Sequence, residues 1–361
     1  MKPYPFLLAL LALLCLPLPS QADEVRPFGD GAGYCGTAED MDRFVGFLEK
    51  HAPKPPEDVP ALVAGISPHD EYLRTGRVYY PLFQRFSAPE VVVFGVTHRK
   101  IREKLGQPEE KLIFDTHARW QGPYGPIQVS GLREHLRKSL DTRHVLVSDE
   151  AHRMEHSIEA LLPFLQHYRR DVRITPIMVT AMPFDTMEAL AKDVAEAIDA
   201  YMKENRLALG KDVFLLISSD SNHYGKDFNN LAFGEGEAAF RQGIAHDREI
   251  AETYLAGPIS PEKLRGLTAR LWGKDFRTQG DTVWCGKYSI PFGLLTVHHL
   301  VAARSPDGRL TGRLLVYGDT QTEGVLPVEG TALRPTTPSS LEHWVGFLSA
   351  GYYLDESPGG R

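Results

Sequence analysis

Two hydrophobic patterns alternate along this 361-residue chain. Continuous apolar runs at 62–66, 91–96, 174–179 and 213–218 have no polar face, which predicts strands covered on both sides. Between them, apolar residues recur at helical spacing. Thr37, with Asp40 three positions later, predicts an N-cap and a helix to residue 50. Further helices are predicted over 73–86, 132–140, 186–207, 235–255, 261–272 and 288–303, and over 157–167, where Ile158, Leu161, Leu162 and Leu165 share one stripe. Residues 145–147 and 314–317 read as short strands, the latter closing the sheet. The stretch 111–129 reads as strand pieces around the Gly–Pro loop 121–126. Residues 51–60 are Pro-rich and read as a connector. Residues 335–340 read as a joint, 341–353 as a docked terminal helix and 357–361 as a disordered end.

Buried strands separated by helices predict an α/β fold: a central mixed, mostly parallel sheet with helices on both faces. With no repeat or composition break within it, the body (23–334) reads as a single domain, and 335–361 as a C-terminal extension.

The first 22 residues alter the picture. Lys2, the apolar stretch 6–16 and the small residues Ser20 and Ala22 form the pattern of a cleaved signal peptide. The stretch is shorter than the roughly 20 apolar residues of a spanning helix. A periplasmic or secreted protein, without stable membrane insertion after cleavage, is expected. The full chain carries 40 basic and 47 acidic residues, so loss of Lys2 leaves the mature form more acidic still. That sign disfavours nucleic acid as a partner. Of the three cysteines, Cys35 and Cys285 would survive cleavage, and an exported pair invites a disulfide. Cys285 also stands just before a predicted helix start, where a thiol gains thiolate character.

Three of the apolar runs end and a histidine follows: Pro68-His69, Thr97-His98, and Asp220-Ser221-Asn222-His223. Reacting groups in open α/β sheets gather beyond the carboxyl ends of strands, so these imidazoles are expected to share a pocket. Two or three histidines with Cys285 make a metal-type donor set. Asp220 and His223 read as an acid/base pair in which the carboxylate orients the imidazole. Glu155 and His156, at the start of the predicted 157–167 helix, read as second-shell braces, with helix-dipole complementation by Glu155 and Glu159 as the plainer reading. His152 reads as an exposed loop residue, and His298 and His299 as packing residues. No GxxxxGK[ST], GxSxG or HExxH motif occurs.

The order Pro68-His69, Gly95-Val96-Thr97-His98, Tyr124-Gly125, Glu155-His156-Ser157-Ile158-Glu159, Leu162-Pro163-Phe164-Leu165, Ser218-Ser219-Asp220 with His223-Tyr224-Gly225, and Cys285-Gly286 resembles the Memo family, also called AmmeMemoRadiSam system protein B. The resemblance runs from about 62 to 303. It implies a fold like that of the class III, non-haem iron extradiol dioxygenases, a metal held by His69, His98 and Cys285, and His223 in the acid/base place with Asp220 beside it. Asp70 and Glu71 depart from the small residue and glycine that usually follow the first histidine, and could add a hard ligand. Export departs from the better-known cytoplasmic members. A thiolate ligand shifts preference toward copper(I), zinc or thiolate-bound iron. The expectation is an exported metalloprotein holding iron or copper, a candidate metal-dependent oxidoreductase of dioxygenase-like type acting on an unidentified small molecule. The alternatives are a metal-binding or redox protein without turnover, a zinc hydrolase with His223 or Glu71 as base, and a metal-free protein with Cys35 and Cys285 bridged.

Overall fold

The computed structural model of the protein describes residues 25–52, 61–305 and 307–355. The predicted signal peptide, most of the Pro-rich connector and the predicted disordered tail lie outside the described residues. No described helix is long and apolar enough to cross a membrane.

The four apolar runs form the centre of a single mixed sheet. In spatial order they are Arg173–Val179, Glu90–Val96, Val213–Ser218 and Leu62–Ser67, each parallel to its neighbour. Their side chains divide between two cores. Val92, Phe94, Leu215 and Ile217 pack with the helices Phe184–Glu204 and Ser289–Arg304. Val91, Val93, Phe214 and Leu216 pack on the other face with the helices Ala38–His51, Tyr72–Phe83 and Leu162–Tyr168. Alternating side chains serve two covered faces, so no polar position is left along these strands. The Thr37 cap forms as expected, accepting from the Asp40 amide at 3.2 Å.

The C-terminal segment differs from its sequence reading. Residues His343–Asp355 form a strand, not a docked helix. It lies antiparallel between Leu62–Ser67 and Arg309–Asp319, inside the sheet. A short apolar run without amphipathic period suits a buried strand or a buried helix equally. Here Gly346 and Gly351 disfavour a helix, and nine consecutive residues from Trp344 to Tyr352 are buried. The 314–317 piece belongs to the longer strand Arg309–Asp319, and it is not the sheet's last. The predicted 157–167 helix starts as a 3₁₀ turn, Glu159–Leu161, and continues as Leu162–Tyr168.

A polar network anchors the segment that carries Glu155. Arg26, 1% exposed, pairs with buried Glu159 and donates to the carbonyls of His152 at 2.6 Å and Glu155 at 3.0 Å. His152 is therefore buried, contrary to its sequence reading. Its ring meets Trp120 edge-on, and its Nε2 lies 3.0 Å from the Ile113 carbonyl. Nearby, burial works against charge on Asp115. Hydrogen bonds from His117 and Trp120, with the charges of His152 and Arg133, outweigh it and hold the carboxyl down to about 2.

Two outcomes follow. Ending the chain at Ser340 removes an interior strand, so cooperative urea unfolding should disappear; a peripheral appendage would leave it intact. A carboxyl lowered from 3.8 to about 2 adds stability that is fully present above pH ~4 and fades as the pH falls through the folded value. Asp115→Asn should therefore flatten the loss of urea midpoint between about pH 4 and pH 2.

Candidate metal centre

Three of the four parallel strands deliver groups to the same edge. Leu62–Ser67 runs into Pro68-His69, Glu90–Val96 into Thr97-His98, and Val213–Ser218 into Asp220 and His223. Cys285 arrives on the loop before Ser289–Arg304. Gly286 permits that approach: a Cβ there would meet the Ser219 side chain at 2.1 Å. Gly95 does the same for the Glu155–Ser157 segment, since a Cβ would fall 2.5 Å from Ile158.

Ligand atoms of His69, His98 and Cys285 all lie within 4.8 Å of one another. His69 Nε2 is 3.4 Å from Cys285 Sγ. A second group, His98, Glu155 and His156, meets the same limit. The His156 ring is exposed and stacks on His98 at 4.6 Å, so it stands in the cavity rather than behind it.

Hydrogen bonding sets which ring nitrogen is free. Ser218 Oγ donates its one proton to the Ser157 carbonyl at 2.6 Å, so toward His69 Nδ1, 2.7 Å away, it acts as acceptor. Glu155, acceptor-only when ionised, takes the His98 Nδ1 proton at 2.7 Å. The Ser221 carbonyl takes that of His223 at 3.0 Å. All three imidazoles thus carry Nδ1–H and present an Nε2 lone pair, the form a metal ligand or a base requires.

Burial lowers the proton affinity of His69, and the neighbouring His98 and His156 lower it further. Burial would do the same at His98, but the Glu155 carboxylate reverses it and the net shift is upward. Glu155 stays far below the usual carboxylate range. Burial opposes its charge, while His98, His156 and the Ser157 amide stabilise it. Burial takes His223 down to about 4.

Cys285 reverses one expectation. A helix N-terminus offers about 0.3–1 kcal/mol to a nearby anion, less than the roughly 1.4 kcal/mol of one pKa unit. Burial, reinforced by the Asp220 charge, outweighs it and pushes the thiol up. The Asp220 amide points at the sulfur from 3.1 Å. Cys35 and Cys285 are both free thiols, so the bridged reading does not hold.

Asp220 does not orient His223. Its Oδ1 accepts from the backbone amides of His69 at 2.9 Å and Asp70 at 3.3 Å, and its Oδ2 lies 3.3 Å from His69 Nε2. The strand-end turn directs it toward its parallel neighbour rather than along its own loop. Burial, with Asp70 nearby, raises its pKa. Glu71 is neither ligand nor base. It is buried, pairs with Arg74 at 3.0 Å, and accepts from the Thr336 amide and hydroxyl, while Arg74 donates to the Thr337 carbonyl at 3.1 Å. Thr337 lines the same cavity as the histidines, so Glu71 fastens one of its walls. Asp70 lines the cavity directly.

Sequence reasoning missed Ser218 and Asp247. Asp247, on the helix Glu237–Leu255, is fully buried and accepts from Ser221 Oγ at 2.7 Å, Trp284 Nε1 at 2.5 Å and Tyr317 Oη at 2.7 Å. One carboxylate thus ties the His223 loop to the Cys285 loop. Its signal was an acid on the face shared with Gly243, Ile250 and Ala251.

Fold and site define an α/β protein with a His2Cys donor cluster at the carboxyl edge of its parallel strands. A family model described as Memo-like protein matches residues 29–300, and the chain belongs to that family. It is 34% identical over 187 residues to a MEMO1 family protein of Aquifex aeolicus, covering 51% of this chain and 60% of that one. With a MEMO1 family protein of Desulfurococcus amylolyticus it shares 28% over 262 residues, 66% of this chain and 83% of the relative. With one of Pyrococcus abyssi it shares 31% over 181 residues, 48% and 56%.

Removing the acceptor that holds the His98 ring should weaken metal binding without unfolding the protein. Glu155→Gln is expected to lower metal affinity about 10–100-fold in a competition titration against a chelator. Unchanged affinity would mean that the Glu155 contact does not prepare the ring for a ligand role.

Proposed function

We propose that His69, His98 and Cys285 hold an iron or copper ion, and that the protein is a metal-dependent oxidoreductase acting on a small molecule in the adjoining cavity. The observation that carries this reading is the convergence of two imidazoles with free Nε2 atoms on one thiol. The donor set is soft and fits copper or thiolate-bound iron better than a hard cation. A bound ion of that kind would supply electron transfer and open coordination positions for substrate and O2.

The chain's own groups do the rest. His223, neutral and aimed by the Ser221 carbonyl, is placed to accept a proton from a bound molecule. Asp247 fixes that imidazole's loop relative to Cys285. Val96, Ile101 and Val345 give the cavity an apolar lining beside the cluster. The leader-like N-terminus supports action outside the cytoplasm.

The test is metal analysis of the full chain purified under reducing conditions. A stoichiometric transition metal is expected in the wild type, lost in His69→Ala and Cys285→Ser and kept in His223→Ala. Turnover, assayed as oxygen consumption with phenolic substrates, should vanish in all three variants. Metal bound tightly with no oxygen consumed by any form would favour storage over catalysis. No stoichiometric metal in the wild type would overturn the reading.

A further inference from the structure

The cavity beside the cluster encloses about 760 Å³, and the charges lining it are unevenly compensated. Its carboxylates have protein partners, Asp70 through one oxygen only. Glu155 holds His98 and accepts from the amides of His98, His156 and Ser157. Asp220 accepts from the His69 and Asp70 amides, and Asp70 from the Glu71 amide. Asp227, at the rim, lies 3.5 Å from His343.

Arg102 and Lys287 are different. Both are half-buried and line the cavity. Arg102 donates to the Thr97 carbonyl at 2.6 Å, and Lys287 to the Thr278 carbonyl at 3.3 Å. Among the described residues, neither has a carboxylate within 4.0 Å. Other sequestered arginines here do: Arg26 pairs with Glu159, Arg74 with Glu71, and Arg133 with Asp115. Arg102 and Lys287 also border a smaller cavity of about 280 Å³, but the carboxylate there, Glu109, is taken by both nitrogens of an Arg277 fork at 2.6 Å. Two neighbouring cations partly withdrawn from water, Arg102 held by a carbonyl and Lys287 by a carbonyl and the Tyr288 ring at 5.2 Å, have no anionic partner and form a site prepared for an anion. Phe228, a half-buried aromatic ring, lines the same cavity together with Val96 and Val345 and gives it an apolar surface.

We propose that the cavity receives a small organic carboxylate, its charged end held by Arg102 and Lys287 and its flat apolar body lying against the apolar lining that includes Phe228 and Val96, facing the His69–His98–Cys285 cluster. This rests on reading the cavity as a substrate site. It names the substrate class and assigns Arg102 and Lys287 as specificity-determining residues. Because a guanidinium grips a carboxylate through paired donors, Arg102 supplies geometry, while Lys287 supplies charge.

The probes are benzoate, benzamide of the same shape without charge, and inorganic phosphate with charge but no apolar body. Each is titrated calorimetrically into full-length protein, once stripped of metal by chelator and once loaded. Benzoate should bind in both states, at least about tenfold more tightly than either of the others. Arg102→Gln and Lys287→Gln should each weaken benzoate by about tenfold or more, and Arg102→Lys should recover part of the loss. Thermal melts confirm that the variants fold, and Lys287→Gln, whose side chain makes one long hydrogen bond, guards against misfolding of the arginine variant. Equal binding of benzoate and benzamide overturns the proposal. So do phosphate binding as tight as benzoate, wild-type affinity in both glutamine variants, binding that exists only with metal and ignores Arg102, or no binding of benzoate at all. The stripped-protein arm separates this outcome from the metal reading, which stands or falls on metal content alone.

Discussion

The site depends on where three imidazoles place their Nδ1 protons. An unconstrained histidine presents either nitrogen, and a cluster built that way would have no fixed donor direction. Here Ser218, Glu155 and the Ser221 carbonyl each take an Nδ1 proton, and three Nε2 atoms are left. Two of these acceptors trace to one segment. The Ser157 carbonyl commits the Ser218 proton, and the Ser157 amide helps hold the Glu155 carboxylate. Residues 155–157 therefore set the His69 and His98 rings together, and Arg26 with Glu159 sets residues 155–157. The run Glu-His-Ser-Ile-Glu acts as a clamp between two strand ends and the N-terminal segment. Helix-dipole complementation is a minor part of what its glutamates do.

Burial is the common opponent of charge in this protein, and its outcome differs by site. At Glu155 and Asp115, several donors outweigh it and the carboxylates stay ionised. At Cys285 and Asp220 burial itself prevails, reinforced by the Asp220 charge at the thiol and by Asp70 at Asp220, over the amides and the His98 charge that oppose it. A cation among these groups would reverse the sign of the balance. It would stabilise the thiolate and carboxylate that burial disfavours, and it would find neutral nitrogens on His69. The empty balance at the sulfur and the prepared lone pairs are two sides of one arrangement.

How much of this was legible follows from the range of the interactions. The strand-end histidines were legible because runs of only five or six apolar residues, β-branched and set between helical stretches, are too short for helices, and topology then sends His69, His98 and His223 to one edge. Cys285 was legible as a donor. Its acidity was not, since sequence proximity to a helix start says nothing about desolvation. Asp220 was placed at the right edge and given the wrong partner: it is three residues from His223 in sequence, but reaches across to the neighbouring strand's His69. His152 was misread because its burial comes from Trp120 and Arg26, both distant in sequence. The terminal strand was misread because a 13-residue apolar segment has no period to distinguish strand from helix.

The C-terminal strand also bears on what sets this chain's cavity apart. The family match ends at residue 300, yet Thr337 and Val345 line the cavity. His343–Asp355 borders the strand that delivers His69 and pairs with His223–Gly225. Of the two acids that follow His69, Asp70 and Glu71, the second meets this region: Glu71 with Arg74 fastens residues 336 and 337. A small residue and glycine at those positions would offer no carboxylate to grip that segment. An acid two residues after the first candidate ligand thus holds a cavity wall supplied some 265 residues later.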